Sequence, residues 1–375
     1  MIIQKEILAN AIKRIMPGIG KDKTALQGMD TIIIDKGGLH TFNGTICATV
    51  PMDTEGIKGA IKGEKFFKLV QKYKAEEVTL EHTEKGLSIK CGKNKSTLAW
   101  VTDVKTPEFI EELHNVKPSV ELPDDFQEAL RLCDIPTNPK DYAGTFVQGN
   151  LMMSTDQNRS NIFTFKEGIK DEDGEDAMFW VSLQNGNQLL KLDDKFTHYT
   201  TKEKLKDGAE RKGVWIHFLT SEGTVFSCTL LNMETVEPII SHMKRFNSME
   251  KEDGAVEGTL PEGFKEVVQR VGSLSARSES KALEYVKLTF TQAALIVSSA
   301  SSAGSSVEEL EWDIKVPEDS QASYLYPVPF LLDIYNKAKD FWMKDMSGGQ
   351  GVNITTLIFN SGGYKHLVSN LTDPD

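Results

Sequence analysis

The chain lacks the residue patterns that metal chemistry, oxidative folding and nucleotide hydrolysis usually leave behind. Its four cysteines, Cys47, Cys91, Cys133 and Cys228, lie far apart and never form a C-x-x-C pair. That spacing predicts buried thiols and argues against a disulfide framework or a zinc site. The seven histidines are scattered singly with no H-x-x-x-H spacing, and His217 sits in a strand-like alternation that predicts a structural role. No G-x-S-x-G elbow occurs. Gly18-Ile-Gly-Lys-Asp-Lys-Thr24 departs from G-x-x-x-x-G-K-[ST] and follows a helical pattern, so it reads as a basic turn. Asp171-Glu-Asp-Gly-Glu-Asp176 carries its glycine fourth and not sixth, with no closing Glu, which excludes the usual calcium loop. No apolar run reaches the eighteen residues of a membrane span, and the amino terminus lacks the layout of a signal peptide. The expectation is a cytoplasmic, non-catalytic protein with no cofactor and no metal.

What the chain does have is charge, unevenly placed. The net charge is −12, which disfavours indiscriminate coating of nucleic acid. Residues 1–120 nevertheless hold 18 Lys and Arg against 15 Asp and Glu, residues 121–246 hold 14 against 21, and residues 247–375 hold 11 against 19. An acidic body with a locally basic first third suits a protein that meets a polyanion at one confined surface.

The 375 residues exceed what one core usually serves, and the chain repeats itself. Leu8, Ala11, Ile12 and Ile15, then Phe126, Ala129, Leu130 and Cys133, then Phe264, Val267, Val268 and Val271 share the offsets of a helix with one buried stripe. Strand-like alternation follows each: 31–50 turning at Gly37-Gly38, 144–156 turning at Gly149-Asn150, and 285–298. A second helix is predicted over Gly63–Lys74, over Leu183–Leu192 (weakened by Gly186), and over Phe330–Lys339. A closing hairpin follows near 78–90, 214–228 and 352–368. The order helix, strands, helix, strands predicts an α+β protein of three tandem domains, 1–118, 119–248 and 249–375, each with two helices packed on antiparallel sheets. The polar stretches 171–176, 201–212 and 298–306 read as solvated loops.

In Gly63–Lys74, Phe66, Leu69, Val70 and Tyr73 share one helical face while Lys65, Lys68 and Lys72 share the adjoining one. Further cations come from related positions: Lys13, Arg14, Lys21 and Lys23 in the first domain, Lys140 and Lys191 in the second, and Lys265, Arg270, Arg277, Lys337 and Lys339 in the third. Aromatic residues are not interleaved for base stacking, since Phe66 and Tyr73 belong to the packing face. No helix carries the cluster of a base-reading recognition helix. A nucleic-acid partner would therefore be held through phosphates, without regard to sequence.

A tripled α+β unit of this length resembles the bacterial β-type sliding clamp, the processivity subunit of the replicative DNA polymerase. The resemblance covers the whole chain. It rests on Gly63-Glu-Lys-Phe-Phe-Lys-Leu-Val with the following 87–98 hairpin, on Met153-Ser-Thr-Asp-Gln-Asn-Arg159, and on Phe226-Ser-Cys-Thr-Leu-Leu with Pro238. It implies a head-to-tail homodimer, half a ring per chain, that closes around duplex DNA with the helices inward and tethers DNA polymerase and clamp loader through short peptides. It implies a partner-peptide cleft at Thr155, Arg159, Pro238, Met243, Val368 and Leu371, and a dimer contact of Leu98 with the partner's Leu274. Two departures stand out: Gln157-Asn158 replaces the family's usual Gly-His, and Ser369-Asn370 replaces its usual Met-Pro ending. These imply a divergent partner peptide such as a phage or mobile-element polymerase carries, acting in the host cytoplasm. The alternatives are a phage structural or assembly protein of tandem α+β domains, in which the lysine row only solubilises the surface, and an enzyme whose groups converge only in the fold.

Overall fold

The computed structural model describes residues 1–20, 28–104, 120–134, 144–156, 158–192, 195–204, 210–232, 236–253, 255–275, 284–312, 322–347 and 353–370. Among these there are seven α-helices: α1 (Lys5–Ile15), α2 (Gly63–Lys72), α3 (Phe126–Leu132), α4 (Leu183–Leu189), α5 (Glu237–Asn247), α6 (Phe264–Gly272) and α7 (Val328–Tyr335). The architecture is α+β with antiparallel sheets throughout, and the three first helices bury the apolar stripes their spacing dictates.

The chain divides into two compact units, Met1–Gln127 with Glu167–Asn232, and Glu128–Lys166 with Met233–Asp375. In the first unit, one sheet runs in the order Ile2–Gln4, Glu77–Thr83, Gly86–Cys91, Asn94–Ala99. The other runs Gly59–Lys62, Thr31–Asp35, Gly38–Phe42, Ile46–Pro51, Val225–Thr229, Glu210–Thr220, Phe196–Lys204, Val120–Glu121. The core gathers Leu8, Ile12 and Ile15 of α1, Phe66 and Val70 of α2, and Ile32, Ile61, Val78, Leu87 and Ile89 from the strands. Full burial of a side chain such as Phe66 stabilises by about 1.5–3 kcal/mol. α2 opens at Gly63, where a Cβ would meet Ile19 Cδ1 at 2.5 Å, so the glycine allows helix and neighbouring chain to touch. Its end at Lys72 leaves Tyr73 extended but still buried.

In the second unit, one sheet has the order Gly304–Glu311, Ala294–Ser301, Tyr285–Phe290, Ala322–Pro327. The other contains the run Gly144–Gln148, Leu151–Thr155, Arg159–Thr164, Tyr364–Ser369, Asn353–Ser361, Asp340–Ser347, Glu257–Thr259. α6 packs on α7 here as α1 packs on α2 in the first unit. The stretch read as a middle domain is thus shared: Val225–Thr229 pairs with Ile46–Pro51 in the first unit, and Arg159–Thr164 pairs with Tyr364–Ser369 in the second.

Four local readings need correction. Ser298–Ser306 is not a loop but the end of strand Ala294–Ser301 and the start of Gly304–Glu311, joined by a tight turn; serines at an exposed edge carry little hydrophobic signal. The run 201–212 holds the ends of strands Phe196–Lys204 and Glu210–Thr220, where backbone pairing overrides the polar sequence. α7 stops at Tyr335, short of Lys339: the N–H groups of Lys337 and Ala338 still bond Ile334 O, and strand Asp340–Ser347 then takes over. α5 was unforeseen, because it buries Ile240, Met243 and Phe246 but presents Lys244 and Asn247 where the searched pattern requires apolar residues.

Candidate nucleic-acid and partner interface

The predicted cations of the first unit that fall among the described residues sit on α1, α2 and the turn after α4. Lys65, Lys68 and Lys72 are all exposed, and the regular helix of α2 stacks them in one row. Lys68 donates to Glu64 Oε2 at 2.9 Å, one turn earlier. Lys13 is exposed on α1, and Lys13, Lys65 and Lys72 have no ion-pair partner among the described residues. Arg14 is half-buried and committed, bridging to Glu222 Oε2 at 2.5 Å and donating to Thr224 Oγ1 at 3.1 Å. Lys191, in the 3-10 turn Leu190–Leu192 that extends α4, is exposed and donates to Gln188 Oε1 at 3.0 Å.

In the second unit most of the predicted cations are engaged within the fold. Arg270 of α6 is paired bidentately with Glu308, whose carboxyl is held below its usual range by that hydrogen bond. Lys337 is half-buried, donating to Asp134 O at 3.0 Å and bridging to Asp333 at 3.2 Å. Lys265 reaches Asn336 Oδ1 at 3.4 Å, and Lys339 is exposed with its ammonium 4.8 Å from the Tyr335 ring centroid. Lys21, Lys23, Lys140 and Arg277 lie outside the described residues. The contrast between units is physical: the second has nearby carboxylates at Asp333 and Glu308 that consume its cations, whereas α2 offers only Glu64.

The predicted partner site converges in part. Arg159 and Val368 are register partners on adjacent strands, and Thr155 Oγ1 donates to Arg159 O at 2.7 Å. The turn between them is built by Asp156, whose Oδ1 accepts from Asn158 N and Arg159 N at 3.1 and 2.8 Å. The Arg159 side chain is almost wholly enclosed. It donates through Nε and Nη2 to Asp156 Oδ2 at 2.9 and 2.7 Å and reaches Asp333 Oδ2 at 3.4 Å, with its guanidinium carbon 4.0 Å from the Phe330 ring centroid. Val368 and Met243 are both 0% exposed, so they contribute shape from beneath rather than surface. Pro238 is exposed in the first turn of α5, a helix that packs on strand Arg159–Thr164. Leu371 lies outside the described residues.

Leu98 is half-buried on the unit's own core, in the end strand of its sheet, and Leu274 is half-buried just past α6. The feature missed in sequence is a pair of sheet-ending strands of opposite charge. Asn94–Ala99 closes one sheet of the first unit with Lys93 and Lys95 exposed at its start. Gly304–Glu311 closes one sheet of the second unit, with Glu309 and Glu311 exposed and Val307 64% exposed. The sequence carries no alternation here: Val307 falls on the exposed face with Glu309 and Glu311, Leu310 on the other with Glu308, and the serines before them add no signal.

One constellation invites an enzymatic reading. His40 Nε2 lies 2.9 Å from Asp35 Oδ1 and its Nδ1 lies 3.0 Å from Thr49 Oγ1. Thr49, however, is buried within the sheet. The ring bridges two strands. His217 likewise bonds Ser227 Oγ at 2.7 Å on the neighbouring ladder, and burial lowers its pKa to about 4. All four cysteines are buried thiols, and burial raises the Cys47 pKa to about 12. No helix among the described residues is long and apolar enough to cross a membrane.

No protein-family model matches the chain, and no curated protein does. Solved structures do, over nearly the full length. A DNA polymerase sliding clamp from Pseudomonas aeruginosa matches with 13% identity and a TM-score of 0.75, covering 99% of both chains. A Helicobacter pylori beta clamp bound to a DNA ligase peptide matches with 16% identity and a TM-score of 0.72, again covering 99% of both. A sliding clamp from Bacillus subtilis matches with 14% identity and a TM-score of 0.70, covering 99% of this chain and 98% of the other. With sequences this far apart, what is shared is the architecture: the chain has the fold of the DNA polymerase III beta sliding clamps from end to end.

Proposed function

We propose that the protein is a non-catalytic sliding clamp, which encircles duplex DNA as a head-to-tail homodimer and tethers a DNA polymerase. The observation that carries this reading is the likeness of fold to sliding clamps over 99% of the chain. Three tandem domains, 1–118, 119–248 and 249–375, then supply half of the ring each chain provides. The row Lys65, Lys68, Lys72 and the exposed Lys13 support the inner, DNA-facing side. Phosphate contacts of this kind are indifferent to sequence and each steepens the salt dependence by roughly 0.9 in log–log slope. A tether that holds by topology needs few of them.

Ring closure is supported by the two sheet-ending strands. Asn94–Ala99 with Lys93 and Lys95 complements Gly304–Glu311 with Glu309 and Glu311 in charge, so an antiparallel pairing of one with the partner subunit's other would extend each sheet and bring Leu98 toward the partner's Leu274. Uncapped edges are costly unless covered. The Thr155, Arg159, Pro238 and Val368 region takes the role of peptide cleft for polymerase and loader; the Helicobacter pylori relative is bound to a DNA ligase peptide.

The test is retention on DNA. Protein loaded on a nicked circle is expected to stay, and to fall off when the circle is linearised. Larger assemblies with no dependence on DNA topology would point instead to a structural protein.

A further inference from the structure

The three closing hairpins differ in how far their strands are paired. Gly86–Cys91 is matched along its whole length by Asn94–Ala99. Asn353–Ser361 is matched by Tyr364–Ser369 from Thr356 onward, and Asn370 closes on Thr355, its N–H donating to Thr355 O and its Oδ1 accepting from Thr355 N. Glu210–Thr220 is matched by Val225–Thr229 only over Trp215–Leu219, after which the Leu230 N–H donates to Val214 O. Residues 210–213 therefore run on past the sheet, with strand Phe196–Lys204 on one side and, among the described residues, no strand on the other. The ladder shifts register between Thr200 and Lys202, then sets Lys202 opposite Lys212, Glu203 opposite Arg211 and Lys204 opposite Glu210. A two-stranded ribbon is marginal by itself, and like charges placed directly opposite weaken it further. At its foot Val214 is 48% exposed, a large apolar residue that the fold leaves uncovered.

We propose that the free edge at residues 210–213 is a docking site for an acidic, extended segment of a partner protein, which adds as a further strand and sets an apolar side chain against Val214. A strand edge offers N–H donors and C=O acceptors together. An added peptide strand satisfies both, whereas a phosphate, which only accepts, leaves the carbonyls unmet. The ladder holds Lys202, Lys204, Arg211 and Lys212 against Glu203 and Glu210, so acidic side chains in the added strand complement it, in a chain whose net charge is −12. Main-chain hydrogen bonds supply the affinity, and the charges and the contact with Val214 supply the selectivity. The site shares no residue with the strands proposed for ring closure or with the Thr155, Arg159 and Val368 region. It goes beyond the clamp reading by giving the chain a second kind of protein contact.

The experiment is titration of a fluorescently labelled short peptide of alternating Glu and Val with the full-length protein, followed by anisotropy and by amide hydrogen exchange. The same peptide with Lys in place of Glu, and one with alternate amides N-methylated, serve as controls. Thermal melting of each protein variant checks that the fold is kept. The acidic peptide is expected to saturate and to slow exchange at residues 210–213, and neither control peptide is expected to saturate. Arg211→Glu/Lys212→Glu is expected to weaken binding by roughly tenfold, and Val214→Ser by roughly threefold. Absence of saturation, full binding by the charge-reversed variant or by the N-methylated peptide, or slowed exchange elsewhere in the chain overturns the proposal. So does protection of residues 210–213 by duplex DNA in place of the peptide. A parent that stays on circular DNA yet ignores the acidic peptide removes this inference alone, whereas one that binds the peptide but leaves circles and linear DNA alike removes only the clamp reading.

Discussion

Arg270 lies along the Glu308 carboxylate, Nη2 2.7 Å from Oε2 and Nε 3.0 Å from Oε1, and so fastens α6 to the last strand of its sheet. The pair cancels a cation on the helix and a carboxylate on the edge. Two residues that look equivalent in sequence, Lys72 near the end of α2 and Arg270 near the end of α6, are therefore electrostatically different. Reversing Lys65, Lys68 and Lys72 to Glu together is expected to shorten retention on circular DNA without lowering the melting temperature. Arg270→Ala is expected to leave retention near that of the parent. Equal losses in both variants would remove the distinction.

The edge strands make a separate prediction about assembly. Lys93→Glu/Lys95→Glu is expected to shift the dimer toward monomer in sedimentation at low salt, and Glu309→Lys/Glu311→Lys introduced in the same chain is expected to restore it. Raising salt should weaken the parent dimer as well, because exposed charges are screened within about 8–10 Å at ordinary ionic strength. A dimer indifferent to all three changes would place the contact elsewhere.

Arg159 is the most consequential single side chain of the region proposed to seat partner peptides. Truncation to Ala strips Asp156 of its guanidinium, leaves Asp333 only Lys337, and empties the space over Phe330. Breaking such a buried pair costs about 3–5 kcal/mol, so a clear fall in melting temperature is expected. Asn158→His, by contrast, should leave stability unchanged. The parent is expected to show no saturation with a standard host clamp-binding peptide, given Gln157-Asn158 and Ser369-Asn370; tight binding would show that the departures are tolerated.

Acid sensitivity follows from His217. Its ring titrates near 6.5 when unfolded and at about 4 in the fold, because burial disfavours the charged form. Between those values the unfolded chain binds more protons, so stability falls as pH drops through the window and is fully present above pH 6.5. The buried His366 is shifted in the same direction, by burial first and then by Lys337 and Arg159. The His217 share is on the order of 3 kcal/mol across the window. A His217→Gln variant is expected to flatten the decline in urea midpoint between pH 6.5 and pH 4, and an unchanged pH profile would remove His217 as its source.

Gly38 tests the turn between strands Thr31–Asp35 and Gly38–Phe42. Its φ is +129°, and a Cβ there would collide with Val50 O. Gly38→Ala is expected to lower the melting temperature, whereas Gly56→Ala, where nothing lies within 4 Å of the added carbon, should cost only the strain of its positive φ.

Helical periodicity was the most legible part of the sequence. Leu8, Ala11, Ile12 and Ile15, and the matching sets at 126 and 264, are buried because an amphipathic stripe is a local signal that packing only confirms. The strand edges were illegible for the opposite reason: Ser305 and Ser306 form a ladder through their backbones, which residue type does not report. Candidate cations were readable as positions but not as charges. Nothing local to Arg14 announces Glu222 as a partner, more than two hundred residues away in the chain; Asp333, by contrast, stands one helical turn before Lys337 and was open to reading from spacing.

The hydrogen-bonded ladder between Ile46–Pro51 and Val225–Thr229 has a practical corollary for anyone dissecting the molecule. A fragment ending near residue 118 would keep its own helices yet bare one flank of a half-built sheet, inviting self-association. Heat or denaturant should accordingly melt residues 1–127 together with 167–232 as one cooperative block, and a repeat excised by itself would be a poor surrogate for the same repeat in place.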